Sequence, residues 1–118
     1  MVKSYKDLNV WQKSIDLVKD IYILVKSLPK EETYALSDQI RRSAVSVPSN
    51  IAEGSGRNGT KEYIQFLYIA LGSLCELETQ IIISKEIGYI NNIEKLEEDM
   101  TIIKKMLNSM IASLKSKI

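Results

Sequence analysis

The chain contains no histidine. That absence removes imidazole bases, histidine-dependent nucleophiles and histidine metal ligands together. A single cysteine, Cys75, excludes an intrachain disulfide and fits a reducing compartment. No unbroken apolar run approaches the roughly 18 residues that span a bilayer, so no membrane association is expected. The first residues carry Lys3 and Lys6 without the apolar core of a signal peptide. An excess of one charge is missing too. Sixteen basic residues face fifteen acidic ones, and the net charge of +1 does not point to bulk nucleic-acid binding. What remains is 118 residues with 45% hydrophobic and 26% charged side chains, the composition of one small globular domain. A cytoplasmic protein is expected, with no metal, no cofactor and no enzymatic activity.

Pro29, the cluster Gly54, Gly56 and Gly59, and Gly88 divide the chain into four segments, each with helical periodicity. The expected helices run over about 8–27, 37–55, 60–87 and 92–117. In the first, Leu8, Trp11, Ile15, Val18, Tyr22 and Val25 form a seam at alternating 3–4 spacing. A second row, Val10, Leu17, Ile21, Leu24 and Leu28, lies beside it. In the third, Tyr63, Leu67, Ala70, Leu74, Leu77 and Ile81 form the seam. Ile64, Tyr68, Leu71, Cys75 and Ile82 form a second row, and Cys75 is expected in the core. In the last, Ile93, Leu96, Met100, Ile103, Leu107, Met110 and Leu114 keep one strict row. Thr60 and Asn91 or Asn92 are N-cap candidates. The second segment pairs an apolar row, Ile40, Ala44, Val47 and Ile51, with a polar one: Gln39, Ser43, Ser46, Asn50, Glu53 and Arg57. Pro48 cannot bond back to residue 44, and a kink is expected there. Four such helices with short links form one all-α domain over 1–118, an antiparallel up-down four-helix bundle. Segments one and three have more apolar width than one core needs. They are expected to cover it by self-association, or against the connection over 28–37.

Gly54-Ser55-Gly56-Arg57-Asn58-Gly59 matches G-x-G-x-x-G, but a helical pattern precedes it where a dinucleotide site needs a strand. A glycine helix stop followed by a new helix is the expected reading. Glu94, Glu97 and Glu98 share a face, yet a di-iron bundle site also takes histidines. Glu76 and Glu78 point to different faces, and one of them is expected to pair with an arginine. All three arginines, Arg41, Arg42 and Arg57, lie in or just after the second segment, and every other basic residue is lysine. Arginine makes bidentate, stackable contacts to phosphate and carboxylate. This segregation makes Arg41, Arg42 and Arg57, with Lys61, the candidate phosphate contacts. Salt bridges to Glu53, Glu76 or Glu78 are the competing explanation. Ser43, Ser46, Asn50 and Glu53 are the candidate register-fixing row of an assembly interface.

Three stretches resemble one family. Leu8 to Ser14 resembles its opening, Gln39 to Arg57 its central signature, and Glu62 to Glu78 its third-helix motif. Gly88-Tyr89-Ile90 is similar to its turn into the last helix. The family is the bacterial 23S rRNA intervening-sequence proteins. The resemblance implies an antiparallel four-helix bundle assembling as a ring-shaped homopentamer. Its members are encoded in insertions within the large-subunit rRNA gene or elsewhere in bacterial chromosomes. A related protein, the accessory protein of diversity-generating retroelements, is strongly basic and binds nucleic acid and a reverse transcriptase. The leading expectation is a non-enzymatic homo-oligomeric accessory protein associated with RNA or DNA. The alternative is a protein-interaction scaffold that binds no nucleic acid.

Overall fold

The computed structural model describes residues 3–118. Four helices, α1 (Asn9–Val25), α2 (Leu36–Ser55), α3 (Thr60–Ile87) and α4 (Glu94–Lys115), form an elongated body of 46 × 25 × 21 Å. Each helix packs on its neighbour in chain order, and α4 closes the square against α1. This is the antiparallel bundle expected from periodicity. A 3₁₀ turn, Tyr5–Asp7, precedes α1, and the Ser4 hydroxyl and Asp7 carboxylate cap it reciprocally. A second 3₁₀ turn, Lys30–Glu32, lies in the α1–α2 connection.

The core consists of side chains that are essentially removed from water. Ile40, Ala44, Val47 and Ile51 come from α2, and Leu67, Ala70, Leu74, Leu77 and Ile81 from α3. Met100, Ile103 and Leu107 come from α4. These are the apolar rows read from the sequence. In α1 the two rows exchange roles as far as Tyr22, after which Val25 of the Trp11 row is buried and Leu24 half-buried. Val10, Ser14, Leu17, Ile21 and Val25 are buried, whereas Trp11, Ile15 and Val18 are half-buried and Tyr22 is exposed. The row expected beside the seam is therefore the seam, and the Trp11 row forms its rim.

Helix ends account for further differences. Thr60 is the first helical residue of α3 and not its cap; Gly59 holds that position with no side-chain bond. Ile93 precedes α4, while the Asn92 side chain accepts the Glu94 amide at 3.0 Å. α2 runs as one helix through Pro48 and ends at Gly56 in ordinary right-handed geometry. Gly54 lies inside α2, buried against α3. The left-handed helix stop is Gly88, with φ of 97°. Its amide bonds to Lys85 O, and the Tyr89 amide reaches back to Ser84 O. Tyr89 then donates its hydroxyl proton to Glu32 at 2.9 Å, which ties the α3–α4 turn to the α1–α2 connection.

Cys75 is exposed, contrary to the expected core position: of the second row of α3, Ile64 is buried and Leu71 half-buried, whereas Tyr68, Cys75 and Ile82 turn outward. Tyr68, Cys75 and Ile82 are spaced seven apart on that outer face, with Ile69 and Ile83 beside them. By length and composition α3 is apolar enough to cross a membrane. Its inner row instead packs into the bundle, and it also buries Gln80 and Ser84.

Candidate functional site

The polar row of α2 faces α3. Ser43 Oγ lies 2.7 Å from the Gln80 side-chain oxygen and 3.1 Å from Ile40 O. Ser46 Oγ is 2.8 Å from Ser73 Oγ, and the Asn50 amide donates to Ser46 O and Oγ at 2.8 and 2.9 Å. Buried hydroxyls and amides require such partners, and here they find them within the chain. Ser43 and Ser46 thus zip α2 to α3, Asn50 braces Ser46 from within α2, and Glu53 points outward to Arg57. Sequence reasoning missed the facing partners Ser73 and Gln80. With the buried Ser84 they form their own polar row, 73–77–80–84, interrupted only by Leu77. That row was the available signal.

The candidate phosphate contacts do not converge. Arg41 and Arg42 sit near the start of α2, and Arg57 lies beyond its end, about 24 Å away along the axis. Arg41 is half-buried and donates to Thr33 O at 3.2 Å. Arg42 pairs with Asp38 at 2.9 Å. Arg57 pairs with Glu53 at 3.4 Å and lies 4.7 Å over the Phe66 ring. Lys61, the second residue of α3, is exposed at the Arg57 end. Two of the three arginines therefore hold a helix-surface carboxylate of their own helix region, four residues away. Such exposed pairs contribute little stability and remain exchangeable for another anion.

Glu78 pairs with Lys104 of α4, not with an arginine. Glu97 lies beside this pair, with one carboxylate oxygen buried and lacking a hydrogen-bond partner. The Lys104 hydrogen bond holds the Glu78 carboxyl below its usual range. Desolvation, reinforced by the Glu78 carboxylate, pushes Glu97 up. A carboxyl with a raised folded-state pKa adds stability below its unfolded pKa and loses that contribution as pH rises through the folded value. Glu97→Gln should therefore match the wild type near pH 4 and gain on it as the pH approaches 7. Urea denaturation across that range checks this. A stability difference that does not vary with pH would contradict it.

Two apolar surfaces remain uncovered. One is a groove of about 270 Å³ between α1 and α2, lined by Tyr5, Trp11, Ile15, Val18, Val45 and Pro48. The Tyr5 and Trp11 rings meet edge to face there, with centroids 5.3 Å apart. The other is the outer face of α3 described above. The connection over 28–37 does not cover the spare row of α1, since Tyr22 and Ile23 remain 45% and 66% exposed.

The chain is thus a small all-α protein, an antiparallel four-helix bundle with a polar α2–α3 seam. The family model for the 23S rRNA-intervening sequence protein matches residues 6–109, and the chain belongs to that family. A solved structure from Bacteroides thetaiotaomicron, a protein of unknown function from the S23 ribosomal protein family, is similar to it. The two share 32% identity at a TM-score of 0.79, over 86% of this chain and 97% of that one. No curated protein matches the chain. Neither the family nor the solved relative carries an assigned enzymatic activity.

Proposed function

We propose that this chain is a non-enzymatic accessory protein of the bacterial cytoplasm that assembles into a homo-oligomeric ring and associates with RNA or DNA. The pair of unlike apolar faces carries the assembly reading. A groove on one side and a ridge on another suit a head-to-tail contact, and such contacts close into rings when the rotation permits. The homopentamer implied by the family resemblance is the expected ring. Repetition of one chain around a ring would also multiply weak phosphate contacts into useful avidity. In that setting Arg41, Arg42, Arg57 and Lys61 act as distributed contacts, separated within a chain and brought into register between copies.

A scaffold without nucleic acid is the second reading. The near-neutral charge and the Arg42–Asp38 and Arg57–Glu53 pairs favour it. Gel filtration with light scattering, recorded at 260 and 280 nm on protein prepared without nuclease, separates the two. A pentamer-sized peak with excess 260 nm absorbance that high salt removes is the expected result. A pentamer with a clean protein spectrum, and no binding of added RNA or DNA, would leave the scaffold. A monomer at all concentrations would overturn the assembly reading.

A further inference from the structure

A second basic feature is absent from the arginine pattern and appears only on folding. The end of α1, the connection after it and the start of α2 enclose an open cleft of about 440 Å³. Lys26, Lys30 and Arg41 line it, together with the hydroxyl-bearing Tyr22, Thr33 and Ser37. Among the described residues, no carboxylate lines it. Among the described residues, none of these three cations takes part in an ion pair. Three cations lining one cleft repel one another unless an anion joins them. The Arg41 guanidinium is steadied by its bond to Thr33 O, which reduces the ordering cost of binding.

The cleft also has an aromatic wall. Tyr22 is 45% exposed and borders both this cleft and the adjoining groove, which holds Arg42 paired with Asp38. A cationic channel beside a free aromatic face matches the way single strands are bound. Phosphates follow the positive groove while a base stacks on the ring, with little demand on sequence. A duplex keeps its bases stacked inside and offers nothing to such a ring. Free phosphate would use the cations alone.

We infer that this cleft binds single-stranded nucleic acid, with a phosphodiester held among Lys26, Lys30 and Arg41 and an unstacked base on Tyr22. The inference rests on the RNA- or DNA-associated reading above and gives it a specific site. Fluorescence anisotropy with labelled oligouridylate, oligothymidylate and a short duplex, across a salt titration, tests it. Lys26→Gln/Lys30→Gln should flatten the salt slope by about 0.7, the contribution of the one single-strand phosphate these cations hold. Tyr22→Leu should weaken both single strands about tenfold and leave the salt slope in place. Comparing oligouridylate with oligothymidylate distinguishes RNA from DNA as the source of the strand. All three side chains lie on the surface, and circular dichroism with light scattering confirms fold and assembly. Wild-type binding that survives these changes but falls in Arg57→Gln/Lys61→Gln would overturn the cleft and keep the broader reading. Wild-type protein that binds no strand would overturn both. Duplex bound as tightly as single strand, or Tyr22→Leu without effect, would overturn the stacking role.

Discussion

Leu17→Ala should lower the unfolding free energy by about 3 kcal/mol, whereas Tyr22→Ala should cost less than about 1 kcal/mol. Leu17 is 2% exposed inside the main core, and its truncation leaves a cavity that the surrounding helices cannot fully close. Tyr22 lies five residues later on the rim, with much of its ring already in water. Urea denaturation of both variants gives the ranking directly. Equal or reversed costs would show that α1 is rotated from the phase described. Protein concentration adds a second axis. Self-association raises the apparent stability of the folded chain by mass action. A wild-type midpoint that rises with concentration, with the cost of Ile15→Ala rising alongside it, would place the α1–α2 groove between copies. Leu17→Ala should carry its full cost even in the most dilute sample.

The phase of α1 illustrates what periodicity can and cannot decide. Its two apolar rows have the same 3–4 spacing and lie side by side, so spacing alone gives no reason to prefer either. The bulk of Trp11 draws attention to one row. The other is marked by Ser14, a small residue that fits a crowded position and donates its hydroxyl proton to Trp11 O at 2.7 Å. α4 offers less choice: its strict row supplies the core positions Met100, Ile103 and Leu107, and only near the end does the buried residue shift to Ile111, with Met110 half-buried. Cys75 was misplaced for a related reason. Its row on α3 is apolar, but Gly72, Glu76 and Thr79 share the face on which it lies. The segregation of the arginines is visible in the chain, and so is the sixteen-residue stretch, nearly all of it helix, that separates Arg41 from Arg57. The cleft was not. Lys26, Lys30 and Arg41 meet only because the connection after α1 folds back over the start of α2. No local pattern encodes that closure.

Gly54→Ala should destabilise the bundle by about 2 kcal/mol, through contact rather than backbone conformation. Gly54 lies in ordinary helical geometry near the end of α2, so alanine suits its dihedral angles and by propensity alone would add stability. A Cβ there, however, would sit 2.7 Å from Phe66 Cβ and 3.0 Å from the Tyr63 ring. Phe66 Cβ is fixed to the α3 backbone and cannot retreat by changing rotamer. The two helices would have to separate at this end, against the hydrogen bonds that zip them at Ser46–Ser73 and Ser43–Gln80. The glycine cluster that resembles a nucleotide fingerprint is thus partly explained by helix packing. Gly56→Ala is the matched control. Its Cβ would find only Glu53 O at 3.6 Å and Ala52 O at 3.9 Å, which are ordinary contacts. It should be neutral or stabilise by about 0.5 kcal/mol through the unfolded chain. Denaturation of the pair separates steric cost from loss of flexibility. If both variants behave alike, the close approach of α2 to α3 is not what requires glycine at position 54. If only Gly54→Ala falls, a compensating Phe66→Ala should relieve the clash at the Cβ only in part, because the conflict is with the Cβ that alanine retains.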